Sequence, residues 1–158
     1  MVNSAFTIRR AVIGDAEVVS RLTKELFAEV GHIPPMTDLN QTAAFCKDIL
    51  ENEEYPILLA MDSKGLVAGI LTLSESISIY AGGRLGVIRE FYVVPNMRSK
   101  GVGKALLEKA KEFSQNKGWK RIEVTLPPKE KLFRTYTFYT REGFREIGPR
   151  LKYEDLHS

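Results

Sequence analysis

The chain begins with an apolar–polar alternation, FTIRRA (6–11), that predicts a strand. Behind it Val18, Val19, Leu22, Leu26, Phe27 and Val30 recur at helical spacing. Asp15 is the expected N-cap of that helix, and Gly31 fits its stop. HIPPMTD reads as a loop, because Pro34 and Pro35 cannot continue a helix. Residues 38–51 return to helical spacing, with Leu39, Ala43, Cys46, Ile49 and Leu50 on one face. YPILLAMD (55–62) and LVAGILTLS (66–74) predict two strands joined through the turn SKG, most economically as a hairpin. RLGVIREFYVVP (84–95), entered through Ala81, Gly82 and Gly83, predicts a long strand that stops at Pro95.

The second half switches to helical spacing at once. From Gly101 to Lys117, Val102, Ala105, Leu106, Ala110 and Phe113 make one apolar stripe, and Gly118 ends it. RIEVTL (121–126) is a strand stopped by Pro127 and Pro128, residues 130–142 are helical, and FREIG with RLKYEDL predicts a terminal strand pair. A three-strand meander cannot be wholly parallel, whereas the strand–helix–strand step from 84 to 126 calls for a right-handed parallel crossover. The expected fold is α/β (α+β), a mixed sheet with helices on both faces. No repeat, low-complexity stretch or long linker divides the chain, so 1–158 reads as a single domain.

Composition narrows the function classes. With 44% hydrophobic and 27% charged residues the chain is of ordinary globular type, and its net charge of +3 does not argue for nucleic acid. No window approaches a membrane span, and MVNSAFTIRR lacks the apolar core of a secretory signal, so a cytoplasmic protein is expected. The lone Cys46 excludes an internal disulfide, and His32 and His157 lie far apart, so no metal site is expected.

The chemistry concentrates in VVPNMRSKGVGKALL (93–107), at the junction of the long strand and the helix. A helix start offers unpaired N–H groups and the positive end of a dipole. Glycines let the backbone approach a ligand, Arg98 can fork onto a phosphate, and Lys100 and Lys104 add charge. RSKGVGK therefore reads as a pyrophosphate cradle. The other reading is a plain helix start with solvated lysines. It is not a P-loop, and a Rossmann fingerprint fails where its third glycine would be Leu106.

These residues resemble motif A of the GNAT superfamily of N-acetyltransferases, V-x-P-x-x-[RQ]-x-x-G-x-[GA]-x-x-L, which Val93, Pro95, Arg98, Gly101, Gly103 and Leu106 match. FYTREGF (138–144) resembles the family's F/L-Y-x-x-x-G-F signature. The resemblance implies a mostly antiparallel sheet of about seven strands with a splayed parallel pair. It implies acetyl-CoA as cosubstrate, its pyrophosphate on the backbone of Arg98, Ser99, Lys100, Gly101, Val102, Gly103 and Lys104, and its pantetheine arm along Val93 and Val94. A backbone N–H there would polarise the thioester carbonyl, and the amine would attack directly, with no covalent enzyme intermediate. Cys46 would then be a structural thiol.

The same resemblance gives Tyr139 the role of acid toward the departing thiolate; the other reading is a core tyrosine between Phe138 and Phe144. Glu90, three residues before Val93, is the first candidate for the base and Glu75 the second; Glu90 also reads as an exposed strand position paired with Arg89 or a cross-strand cation. Many family members carry an asparagine where this chain has Leu132, which leaves the local CoA contacts open but not the donor; Arg134 reads first as an exposed helix residue and second as a contact to a CoA phosphate. Acids crowd residues 15–54 and cations 98–121, a division that suits a cationic acceptor on one side and a polyphosphate on the other, or merely solvated helix faces. A small-molecule or peptide amine is the expected acceptor; His32 and Tyr80, in loops, read first as surface residues and second as acceptor contacts. A non-catalytic acyl-CoA-binding regulatory module is the alternative on the same fold. A basic-helix nucleic-acid binder finds little support, and a homodimer stays open.

Overall fold

Strand alternation builds a five-stranded sheet of order β1-β2-β3-β4-β5, formed by Thr7–Arg10, Ile57–Met61, Val67–Ser78, Gly83–Val93 and Ile122–Val124. This computed structural model describes residues 5–31, 39–126, 133–148, 151 and 153, with 39–41 and 133 described by their backbone alone. The chain packs as two compact units, residues 1–123 and 124–158.

In the first unit β1 to β4 run antiparallel to their neighbours, so the predicted meander is observed. β5 joins β4 in parallel, as the crossover requires. Their N-terminal ends are tied by Lys120 N–H to Arg84 O (2.7 Å) and Gly86 N–H to Arg121 O (3.1 Å).

Helix α1 (Ala16–Val30) and helix α2 (Leu39–Leu50) cover one face. Ala16, Val19, Leu22 and Cys46 pack there with Ile57, Leu59, Ile70 and Tyr92. The alternate strand positions Leu58, Ala60, Leu71 and Leu73 are equally buried and turn to the opposite face. Helix α3 (Val102–Lys117) packs against β2, β3 and β4 there, burying Val102, Leu106, Leu107 and Ala110. Its most buried line is rotated slightly from the predicted stripe: Leu107 and Ser114 go inward while Ala105 and Phe113 are half-buried. Asp15 precedes α1 but does not cap it with its side chain. Its carboxylate instead accepts from Val12 N–H (2.7 Å) and the Arg9 guanidinium (2.8 Å), and that Arg9 pairing holds it below the usual range.

Trp119, just after α3, donates its indole N–H to Glu75 (2.6 Å) and meets Phe113 edge-on. Its ring lies against the backbone of Gly86, where a Cβ would stand only 2.3 Å from the indole. Gly86→Ala should therefore destabilise the fold by about 2 kcal/mol or more. Urea unfolding would read this as a lower midpoint at similar slope; an unchanged midpoint would mean that the indole moves aside freely.

The second unit contains helix α4 (Phe133–Arg141). The expected strand at 144–148 is not formed. Phe144 N–H instead donates back to Tyr139 O (2.9 Å), and Gly148 has a φ of 128°. Five strands therefore stand among the described residues where about seven were expected. The second terminal strand, over 150–156, falls largely outside them, as do His32, His157, Pro127, Pro128 and Leu132.

Candidate functional site

β4 is not a regular strand where its chemistry lies. Leu73 faces Ile88 and Leu71 faces Phe91, so three steps along β4 oppose two along β3. This is a β-bulge, and it turns Arg89 and Glu90 to the same side. Arg89 Nε donates to Ser74 Oγ (2.8 Å), and Glu90 N–H donates to Thr72 Oγ1 (2.9 Å). Both partners occupy the face that α1 and α2 cover.

The Glu90 carboxylate is half-buried and held by one oxygen. Its Oε1 accepts from Tyr55 OH (2.5 Å) and from Thr72 Oγ1 (2.7 Å). Tyr55 enters from the residues just before β2, and Thr72, fully buried, from β3. Burial, and then the Glu90 charge, push the Tyr55 phenol far up, so it remains a proton donor at neutral pH. Cys46 approaches from α2; burial raises its thiol and the Glu90 charge raises it further, which keeps it protonated. Cys46 is buried, as its apolar neighbours predict.

Beyond the bulge the strand edge changes partners. Val94 N–H is spent on Ala68 O (3.0 Å). The neighbouring pair Gly69–Val93 is then the non-bonded kind, so the N–H and C=O of Val93 point away from β3. Of the two predicted valines, only Val93 presents its N–H on the outer edge. Its carbonyl accepts from Arg98 Nε (2.9 Å).

After Pro95–Met97, a single helical turn, Ser99 takes a left-handed φ of 62° and Gly101 one of 88°. Left-handed geometry costs a serine energy, and strain of this kind collects where a backbone is shaped for a ligand. α3 starts at Val102 with Gly101 as N-cap and no side-chain cap, so its first-turn N–H groups have no internal acceptor. Val102 anchors this start by burying its side chain, Gly103 is half-buried, and Lys100 and Lys104 are exposed around it.

Arg98 has a partner that the sequence did not disclose. Its fork meets both oxygens of Glu29 on α1 (2.8 and 2.6 Å), and its guanidinium lies 5.4 Å from the centre of the Tyr92 ring. The Glu29 bond raises the guanidinium further. Tyr92 is pushed up, by burial first and then by Glu25 and Glu29.

The second-choice acid, Glu75, has both oxygens engaged, by Trp119 and by Arg84 (3.0 Å), and serves the fold. Tyr80 is exposed beneath the Arg121 guanidinium, and Arg134 is exposed on α4. Among the described residues no helix is long and apolar enough to cross a membrane, and no cluster of three metal-ligating side chains occurs.

Tyr139 belongs to the second unit. It is buried, with its ring edge-on to Phe138 (5.4 Å between centroids) and to Phe144 (5.2 Å), and burial pushes its phenol far up. The signature FYTREGF has a local physical reason. Gly143, at φ 95°, turns the chain left-handed after α4, and Phe144 folds back to bond the Tyr139 carbonyl. A helix closed in this way brings the residue beyond the glycine onto the last turn, here Phe144 onto Tyr139.

Tyr55, Thr72 and Glu29 escaped the sequence reading. A threonine inside an apolar strand and a tyrosine ahead of one are weak signals, and nothing local links Glu29 to Arg98.

Residues 53–146 match the family model described as an acetyltransferase (GNAT) domain. The uncharacterized N-acetyltransferase YhfO of Bacillus subtilis (strain 168) is 30% identical over 142 residues, covering 88% of this chain and 89% of that protein. The aminoalkylphosphonate N-acetyltransferase of Salmonella typhimurium is 26% identical over 140 residues, covering 88% and 84%. In fold, the crystal structure of a predicted acetyltransferase with acetyl-CoA from Clostridium acetobutylicum superposes with a TM-score of 0.78 at 17% identity, covering 97% of this chain and 98% of that one. The bulged strand, the uncapped helix start after it and the closed YTREGF turn all lie within the matched residues, and the chain belongs to the GNAT acetyltransferases as an N-acetyltransferase.

Proposed function

We propose that the chain moves an acetyl group from acetyl-CoA directly to a primary amine within a ternary complex. The observation that carries this reading is the uncapped start of α3, shaped by Ser99 and Gly101, directly after the bulge that presents Glu90. The first-turn N–H groups and the flanking cations suit a pyrophosphate, with Arg98, Ser99, Lys100, Gly101, Val102, Gly103 and Lys104 around it. The pantetheine arm follows the outer edge of β4 at Val93 and Val94, where Val93 N–H polarises the thioester carbonyl. Glu90 takes one proton of the ammonium form of the acceptor, directly or through water, the nitrogen attacks the carbonyl carbon with the electron pair so released, and the tetrahedral adduct then gives up its surplus N–H proton to water. The carbon–sulfur bond breaks and the thiolate takes its proton from Tyr139. The family match at 53–146 crosses the division at residue 123, which favours one working N-acetyltransferase domain over the whole chain.

The acceptor is a small-molecule or peptide amine. The Salmonella relative's name brings aminoalkylphosphonates into that class beside polyamines, aminoglycosides and amino acids. The test is thiol release from acetyl-CoA across a panel of these amines and peptides, with calorimetry of acetyl-CoA beside it. Amine-dependent release supports the transferase. Donor binding with no release across the panel would favour the non-catalytic CoA-binding module, and no donor binding would remove the cradle.

Tyr139→Phe separates the acid from a core ring. It should lower kcat at least tenfold with acetyl-CoA affinity nearly unchanged, since the ring packing is kept. Normal turnover with the best acceptor would leave Tyr139 a packing residue.

A further inference from the structure

Glu90 is surrounded by more machinery than a strand carboxylate needs. Thr72 Oγ1 plays two parts at once: it accepts Glu90 N–H (2.9 Å) and donates to Glu90 Oε1 (2.7 Å). A hydroxyl has a single proton, and its other neighbour, Tyr55 OH, is farther away at 3.5 Å, so the proton belongs on the carboxylate. Tyr55 OH places the second proton on the same oxygen at 2.5 Å. Oε1 is therefore saturated, while Oε2 has no donor among the described residues. Thr72 thus ties the backbone of the bulge to the head of the side chain that the bulge presents, which fixes the torsions of Glu90 between two points.

We propose that Tyr55 and Thr72 are positioning residues that lock Glu90 by Oε1 and reserve Oε2 as the atom that receives the acceptor's proton. This rests on the reading of Glu90 as the base. A donor to a carboxylate oxygen favours the charged form in general, and here two donors on Oε1 hold the head of Glu90 so that its second oxygen stays aimed. The groups facing it are Tyr55, Thr72 and Cys46 on α2, and the charge of Arg89 on β4 bears on Tyr55. From α1, Glu25 and Glu29 bear on Tyr92. Neither positioning residue touches the acetyl group, and neither changes its own protonation in the step. The proton leaves the amine for Oε2, and the nitrogen keeps the electron pair that attacks the thioester.

The test needs no acceptor at first. In the full chain labelled with carboxyl-13C glutamate, the Glu90 resonance is assigned by its disappearance in Glu90→Gln, and its titration is then followed. Tyr55→Phe and Thr72→Val should each raise its midpoint by about one pH unit, a tenfold change in proton affinity. Thr72→Ser, which keeps the hydroxyl, should restore it. A loss of packing alone would not obey that rule. With acetyl-CoA and the fastest acceptor of the amine panel, the acid limb of kcat/KM should move up by the same amount in the same two variants. Midpoints that stay in place in both overturn the locking role. Activity lost in Glu90→Gln but an acid limb unmoved in Tyr55→Phe and Thr72→Val overturns it too, and leaves Glu90 as the base. Activity retained in Glu90→Gln removes the base reading and this role with it.

Discussion

Glu90→Gln is expected to lower kcat by about two to four orders of magnitude while leaving acetyl-CoA affinity within about twofold. The amide is close in shape to the carboxylate, and its oxygen can still accept from Tyr55 OH and Thr72 Oγ1. The scaffold should therefore survive. What disappears is the basic atom, because the amide nitrogen that replaces Oε2 is a donor and cannot take up a proton. Alkyl amines are mostly protonated near neutral pH, so the variant should recover part of its rate as the pH is raised and neutral amine accumulates. Steady-state kinetics from neutral to alkaline pH, with calorimetry of the donor, would read both quantities. A rate that stays low at every pH alongside lost donor affinity would point to a collapsed strand edge. An unchanged kcat at neutral pH would show that the amine sheds its proton without Glu90.

The difference between Glu90 and Glu75 shows what sequence can and cannot convey about such a site. Both are carboxylates in neighbouring strands, and nothing in their local sequence separates a carboxylate with an oxygen to spare from a fully engaged one. The separation comes from partners. Glu75 spends both oxygens on Trp119 and Arg84, whereas Glu90 spends one. Those partners come from other strands, from the residues just before β2 and from just after α3, so no local pattern contains them. The bulge is equally hidden, because a count of three residues against two exists only once β3 and β4 are paired.

The junction at 93–107 was legible for the opposite reason. Pro95, Gly101 and the return to helical spacing act within a few residues of one another, so strand end, turn and helix start are all local events. The signature at 138–144 is local in the same sense: the left-handed Gly143 and the returning Phe144 lie within one helical turn of Tyr139. FREIG misled because its short apolar–polar alternation reads as a strand, yet the Phe144 N–H is used up in closing α4. A strand prediction from alternation counts side chains and takes no account of where the backbone donors go.

Arg98→Glu is expected to weaken acetyl-CoA binding by about two orders of magnitude, roughly 2.7 kcal/mol. A charge-assisted hydrogen bond to a phosphate would be lost, and a carboxylate would face the pyrophosphate in its place. The Glu29 pair complicates this prediction and also makes it sharper. Arg98 and Glu29 are both substantially exposed, with side-chain exposures of 40% and 47%. An exposed pair contributes at most about 1 kcal/mol, less than a guanidinium gains from a polyphosphate, so the donor should win the fork from Glu29. Glu29→Gln should then leave donor binding intact or strengthen it severalfold, because the competing carboxylate is gone. If Arg98 serves only to fasten α1 to the strand end, the two variants should instead weaken binding alike. Titration calorimetry of both with acetyl-CoA, repeated at high salt, separates the cases. Opposite signs assign the fork to the phosphate, and parallel losses assign it to Glu29. The salt series adds an independent reading: a fork on the pyrophosphate makes wild-type affinity fall with ionic strength more steeply than that of Arg98→Glu.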